Sequence, residues 1–117
     1  MRTVLIVDDH DTFRATASRL LSADGFSVVG EAVDAESAVE AVSRLRPDVL
    51  LLDVMLPGTD GFEVVEILEA AGSLPQTVLV SSRDESTYRR RLEVSAARGF
   101  ISKSDLSGAA LESLLAP

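Results

Sequence analysis

Three aspartates follow two strongly apolar segments of the chain. Asp8 and Asp9 come directly after Val4–Val7, and Asp53 comes directly after Val49–Leu52. Carboxylates that lie close together repel one another and raise each other's pKa, and a hard divalent cation relieves that repulsion. Mg²⁺ prefers oxygen ligands and commonly binds through one or two carboxylates together with a phosphate. A carboxylate beside such a cation can also attack phosphorus and form an aspartyl phosphate. The pattern therefore predicts a Mg²⁺ site with phosphoryl chemistry.

Two further side chains suit that chemistry. Ser81 ends another apolar segment and offers a hydroxyl donor, and Lys103, the only lysine, offers a compact positive charge. Phosphoryl transfer needs positioning and charge neutralisation more than covalent help from the protein. The simpler interpretation of acids at strand ends, as solubilising or capping residues, suits one aspartate better than three. His10 is expected to be an exposed loop residue and not a ligand.

Five strand-like segments alternate with five helix-like ones. Apolar runs without polar alternation are typical of strands covered on both faces. Of the helix-like segments, the fourth, about Glu85–Arg98, has the poorest apolar stripe and should pack loosely. Asp34 and Asp60 are expected to cap the second and third helices, and Ser104 or Asp105 to open the fifth. The predicted strands are Thr3–Val7, Ser27–Ala32, Val49–Asp53, Val78–Ser82 and Gly99–Ser102.

This alternation predicts an α/β fold with a doubly wound, five-stranded parallel sheet and helices on both faces. Right-handed crossovers place the carboxyl ends of all strands at one edge. The three most apolar strands should be central, which favours the order 2-1-3-4-5 with a switch point between the first and third strands. Asp8, Asp9 and Asp53 should therefore meet in one crevice.

Composition narrows the class of protein. The 117 residues are predicted to form one domain, residues 1–117, with 46% hydrophobic residues, no cysteine and a net charge of −8. That charge argues against nucleic-acid or anionic-membrane binding by this chain alone. No signal peptide or membrane-spanning run is evident, so a cytoplasmic location is expected.

The chain resembles the receiver domain of bacterial two-component response regulators over essentially its whole length. The motifs are VLIVDDHD, LLLDVMLPGTDGFEV, VLVSS and GFISKSDL, which are specific in combination. DDHDTFR and GFSVVGEA further resemble receivers that precede a helix-turn-helix output domain, although no output domain is expected in this chain. The resemblance implies a flavodoxin-like fold and a signalling domain that promotes only its own phosphorylation and dephosphorylation.

The resemblance also implies roles for individual residues. Asp53 accepts a phosphoryl group from a sensor histidine kinase or phosphotransfer protein. Mg²⁺, or Mn²⁺ in its place, binds Asp8, Asp9 and Asp53 and the backbone carbonyl of Met55. The remaining roles are phosphate contact and switching by Ser81, Ser82, Lys103 and Phe100, loop shaping by Pro57 and Gly61, and tuning of hydrolysis by Met55 and Arg83.

The expected mechanism is a population shift. Phosphate on Asp53 draws Ser81 and Lys103 inward, Phe100 turns into the vacated space, and the face of the fourth helix, fifth strand and fifth helix changes shape. A homodimer through this face is a further expectation. Without metal, Asp8→Asn and Asp53→Asn should both stabilise the protein by relieving repulsion.

Three other functions fit less well. A dehalogenase-type phosphatase would need D-x-D-x-T, but Phe13 stands where the hydroxyl belongs. A receiver that acts without phosphorylation normally lacks site residues, and none is lost here. A nucleotide-binding role finds neither G-x-G-x-x-G nor G-K-[ST].

Overall fold

The computed structural model describes all 117 residues. Its centre is a parallel sheet in the order β2-β1-β3-β4-β5, which confirms the predicted topology. The strands are β1 (Thr3–Val7), β2 (Ser27–Ala32), β3 (Val49–Asp53), β4 (Gln76–Ser81) and β5 (Gly99–Ser102). The helices are α1 (Asp11–Ala23), α2 (Ala35–Leu45), α3 (Gly61–Ala70), α4 (Arg89–Val94) and α5 (Gly108–Leu114), with short 3₁₀ turns at Glu85–Tyr88 and Lys103–Asp105. None of these helices has the length and apolar character that crossing a membrane requires.

The core has two layers, one on each face of the sheet. Successive strand residues point to opposite faces, so Leu5 and Val7 of β1 join one cluster while Val4 and Ile6 join the other. The first cluster packs the sheet against α2 and α3, and the second packs it against α1 and α5. Because both faces are covered, the central strands carry apolar residues without alternation.

Two helices differ from their predicted extents. The segment predicted as one helix over Glu85–Arg98 is a 3₁₀ turn followed by six α-helical residues, none of which is buried. Loose packing of α4 is thus confirmed, because little apolar surface holds it to the sheet. The prediction that α5 opens at Ser104 or Asp105 is wrong, since both residues lie in the second 3₁₀ turn.

The start of α5 is fixed by a tertiary contact. Ser107 caps the helix by accepting the backbone N–H of Ala110 at 3.0 Å. The next residue, Gly108, donates its N–H to the Asp24 side chain at 2.8 Å, and a Cβ there would lie 2.2 Å from that side chain. Only a glycine allows this close approach. The contact therefore fixes Gly108 as the first residue of α5 and Ser107 as its cap, although Ser104 and Asp105 are also suitable capping residues.

The predicted caps of α2 and α3 are confirmed. Asp34 accepts the Ser37 N–H at 2.8 Å in a reciprocal capping box. Asp60 accepts the Glu63 N–H at 3.0 Å. Because α3 begins directly after the loop that follows β3, its cap also fixes where that loop ends.

Candidate functional site

The sheet order brings the predicted acids together at its carboxyl edge. β1 and β3 are hydrogen-bonded neighbours, with Val7 opposite Leu52, so Asp8 and Asp53 follow paired residues. Both carboxylates are buried, whereas Asp9 is exposed. Ligand atoms of Asp8, Asp9, His10 and Asp53 all lie within 4.8 Å of one another. The convergence expected from the strand order is therefore present.

Lys103 contacts two carboxylates of this acidic cluster. Its Nζ lies 2.6 Å from Asp8 Oδ2 as an ion pair and donates a 3.3 Å hydrogen bond to Asp53 Oδ2. The ammonium also lies 4.5 Å from the centroid of the Phe13 ring on α1. The lysine follows β5, at the far side of the sheet from β1, so only the folded chain brings it to both acids. A single compact cation thus partly neutralises two buried carboxylates.

The pKa values of the two buried carboxyl groups are shifted in opposite directions. Burial, and after it the negative charge of Asp8, raises the pKa of Asp53 to about 6. Burial also acts to raise the pKa of Asp8, but the ion pair with Lys103 and the hydrogen bonds from His10 outweigh it, so that pKa is lowered. Asp8 therefore forms the closer ion pair with Lys103, whereas the negative charge of Asp53 is only partly compensated.

His10 and Arg14 make hydrogen bonds at the site, although no role was expected for either residue from the sequence. His10 donates its backbone N–H to Asp8 Oδ1 at 2.8 Å, and its Nδ1 lies 2.9 Å from that oxygen and 3.2 Å from Asp9 Oδ1. Arg14 donates to the backbone carbonyl of Asp8 at 2.7 Å and to Glu31 at 2.8 Å. His10 is exposed as predicted. The only sequence signal for its position is that it adjoins the acidic pair.

The loop after β3 is built closely around Asp53. Met55 donates its N–H to Asp53 Oδ1 at 3.1 Å, and Gly61 donates its N–H to the carbonyl of Val54 at 2.9 Å. A Cβ on Gly61 would lie 2.5 Å from the Asp53 carbonyl oxygen, so this position requires glycine. Gly58, with φ of +76°, turns the loop, and Pro57 before it is exposed. The loop-shaping position predicted for Gly61 thus has a steric basis.

Ser81 is buried at the end of β4, but its hydroxyl is already engaged. Its Oγ lies 3.1 Å from the Tyr88 hydroxyl and accepts the Arg83 N–H at 3.1 Å. Ser82 and Arg83 are both exposed. Sequence analysis gave Tyr88 a place on the apolar stripe of the fourth helix and no functional role. The sequence carries no signal for the contact between Ser81 and Tyr88, because that contact depends on the path of the 3₁₀ turn that ends at Tyr88.

Phe100, the residue expected to switch, is part of β5. It is only 9% exposed, and its ring centroid lies 5.8 Å from that of Tyr88. The ring lies in the interior in this structure, and its movement on phosphorylation stays a prediction.

The donor set suits a hard divalent cation. Three carboxylates within ligand distance of one another supply oxygen donors, and Asp8 Oδ2 is a buried oxygen with no hydrogen-bond partner, compensated only by the Lys103 ion pair. Of the expected ligands, Asp8, Asp9 and Asp53 are neighbours at one edge of the sheet, whereas the part of the Met55 carbonyl stays a prediction. The three carboxylates fit Mg²⁺ by type and by placement.

Fold and site together define a class of protein. It is a doubly wound α/β domain whose switch point carries a carboxylate cluster and one facing lysine. The response regulator receiver domain model matches residues 4–113, and the chain therefore belongs to that family. The resemblance drawn from the four sequence motifs is confirmed.

Relatives agree with this assignment. The chain is 35% identical over 116 residues to the response regulator GacA of Pseudomonas aeruginosa, covering 98% of this chain and 52% of the relative. It is 31% identical over 101 residues to the DNA-binding transcriptional activator EvgA of Escherichia coli K12, covering 86% and 50%. The chain thus spans about half the length of these curated relatives. The receiver domain of the response regulator NarL from Mycobacterium tuberculosis superposes with a TM-score of 0.85 at 33% identity, over 97% of this chain and 95% of that one.

Proposed function

We propose that Asp53 accepts a phosphoryl group from the phosphohistidine of a sensor histidine kinase or a phosphotransfer protein. The observation that carries this proposal is the buried Asp53 carboxylate, held beside Asp8 with Lys103 in contact with both. Because its pKa is raised only to about 6, Asp53 is mainly ionised at neutral pH and keeps the nucleophilic form.

The protein's own groups have distinct parts in the transfer. An Asp53 oxygen attacks phosphorus, the phosphorus–nitrogen bond of the donor breaks, and the imidazole leaves with its electron pair. Lys103, already 3.3 Å from Asp53, stabilises the charge on the transferred oxygens, and Ser81 donates its hydroxyl to one of them. Mg²⁺ held by Asp8, Asp9, Asp53 and the Met55 carbonyl would supply further charge neutralisation. Met55 and Arg83 flank the approach of water and tune hydrolysis.

The output face is proposed to comprise α4, β5 and α5. α4 contributes no buried residue, so few contacts oppose its displacement. We propose that this face contacts a partner, an output domain or a second copy of the chain when Asp53 is phosphorylated. Because EvgA is described as a DNA-binding transcriptional activator, control of transcription is the proposed consequence for a protein that contains this domain.

Intact-mass spectrometry tests the phosphorylation. Incubation with acetyl phosphate and Mg²⁺ should add about 80 Da to the protein, the mass of one phosphoryl group. Asp53→Asn should abolish the adduct. Asp105→Asn, a matched change at an exposed carboxylate that makes no side-chain hydrogen bond, should leave it intact. An adduct that persists in Asp53→Asn, or none in the wild type, would refute the proposal.

A further inference from the structure

The ammonium of Lys103 lies against an aromatic ring as well as against two buried carboxylates. Its Nζ lies over the face of the Phe13 ring, 4.5 Å from the ring centroid. The same atom lies 2.6 Å from Asp8 Oδ2 and 3.3 Å from Asp53 Oδ2. The lysine side chain is only 17% exposed, so its charge lies among these three groups with little access to water.

The position of Phe13 is fixed by the first turn of α1. Its ring is half-buried and packs against the core cluster on the face of the sheet that α1 and α5 cover. The next residue, Arg14, donates hydrogen bonds to the backbone carbonyl of Asp8 at 2.7 Å and to Glu31 of β2 at 2.8 Å. These contacts hold the start of α1 to β1 and β2, and they thereby set the ring beside Lys103, which follows β5.

An aromatic ring can hold an ammonium without a strong hydrogen bond. The face of a phenylalanine ring attracts a cation electrostatically and offers it no lone pair. A lysine ammonium has three N–H donors, of which Asp53 accepts one here. A carbonyl or carboxylate in place of the Phe13 ring would accept another and would compete with incoming phosphoryl oxygens. Because the ring also excludes water from part of the ammonium, the positive charge acts on a phosphoryl group with less screening.

We infer that Phe13 is a positioning residue for Lys103 in the phosphorylation of this domain. Its ring keeps the ammonium beside the two buried acids, so that the positive charge is in place when a phosphoryl group reaches Asp53. During the transfer the ammonium turns its donors towards the phosphoryl oxygens while it remains on the face of the ring. This inference rests on the proposed phosphorylation of Asp53.

The composition of the chain makes the contact directly measurable. Lys103 is the only lysine, so ¹³C-labelled lysine gives NMR signals from this residue alone. Protons over an aromatic face are shifted upfield by the ring current, and the ε-methylene protons of Lys103 should show that shift in the wild type. Phe13→Leu keeps an apolar side chain but removes the ring, so it should move these signals towards their position in the unfolded chain. Phe13→Tyr keeps the ring and should keep the shift.

Phosphorylation by acetyl phosphate at saturating Mg²⁺ measures the effect on the transfer. Phe13→Leu should slow the formation of the phosphoryl adduct about fivefold, the factor that corresponds to the loss of a partly desolvated cation–π contact. Phe13→Tyr should restore the rate to within about twofold of the wild type, because its ring presents the same face to the ammonium. Leu20→Ala truncates an exposed apolar residue two turns further along α1, and this matched control should leave the rate unchanged.

The outcomes separate this inference from the proposed function. Slow transfer and a moved Lys103 signal in Phe13→Leu, with both restored in Phe13→Tyr, support the positioning role. If Phe13→Leu phosphorylates at the wild-type rate, or if both variants are equally slow, the role of Phe13 is refuted and phosphorylation of Asp53 stands. An identical Lys103 signal in the wild type and Phe13→Leu also refutes it, because the contact would then be absent in solution. If the wild type forms no adduct, the proposed function fails, and the role of Phe13 in the transfer fails with it.

Discussion

The poorly compensated charge of Asp53 should be measurable as a loss of stability in the metal-free protein. Its pKa of about 6 lies above the value of about 3.9 for an aspartate in an unfolded chain. As pH rises through this interval the unfolded chain releases its proton first, so unfolding becomes more favourable. At 1.36 kcal/mol for each pH unit, ionised Asp53 lowers the free energy of unfolding by at most about 3 kcal/mol above pH 6, and by almost nothing below pH 4.

Asp53→Asn should therefore stabilise the metal-free protein. We expect a gain of about 1–3 kcal/mol at pH 7.5, less than the full value because the hydrogen bond from Lys103 is weakened, and a gain that shrinks towards zero as pH falls to about 4. Urea unfolding in the presence of a chelator, repeated between pH 4.5 and 8, measures this difference. Asp105→Asn is the control, since exchange of an exposed carboxylate should change stability by less than about 0.5 kcal/mol at every pH.

Asp8→Asn should behave differently, although the sequence alone suggested that both substitutions relieve the same repulsion. Burial acts to raise the pKa of Asp8, but the lowering by Lys103 and His10 is larger. The net pKa is therefore lowered, and the ionised form is favoured in the folded state. Its contribution to stability is present above the unfolded pKa and is lost as pH falls. Asp8→Asn should thus give no gain at pH 7.5. An equal gain from both variants, or a gain from Asp53→Asn that does not vary with pH, would refute this assignment of charge.

Other variants test the metal and the loop. Mg²⁺ at a hundredfold excess over its dissociation constant should stabilise the wild type by about 2.7 kcal/mol, and Asp9→Asn should lose most of that increase in thermal unfolding. If Asp9→Asn keeps the full increase, the cation binds elsewhere. Gly61→Ala should destabilise by more than about 2 kcal/mol in urea unfolding, because its Cβ would lie 2.5 Å from the Asp53 carbonyl oxygen, whereas Gly58→Ala should cost only about 1 kcal/mol for its positive φ. Equal costs would contradict the steric argument. Asp34→Ala should lower the free energy of unfolding by about 1 kcal/mol through loss of the α2 cap, and no change would mean that water replaces the cap.

The fold could be predicted from the sequence because its signals are local. The apolar segments ending at Val7 and Asp53 show no polar alternation, which requires helices on both faces of the sheet. Once the strands are parallel and the crossovers right-handed, every strand ends at the same edge, so acids placed after β1 and β3 must meet there. The convergence of Asp8, Asp9 and Asp53 follows from the chain's pattern and needs no knowledge of side-chain packing.

The tertiary structure decided how those residues share charge and hydrogen bonds. Lys103 lies 2.6 Å from Asp8 and 3.3 Å from Asp53, and this difference, together with burial and the His10 hydrogen bonds to Asp8, gives the two pKa shifts opposite signs. The contact between Ser81 and Tyr88 joins residues whose separation of seven in sequence carries no periodic signal, because a 3₁₀ turn lies between them. Sequence patterns report which face of an element is apolar. Distances between polar atoms on different elements are set only when the core packs, and those distances determine the chemistry of this site.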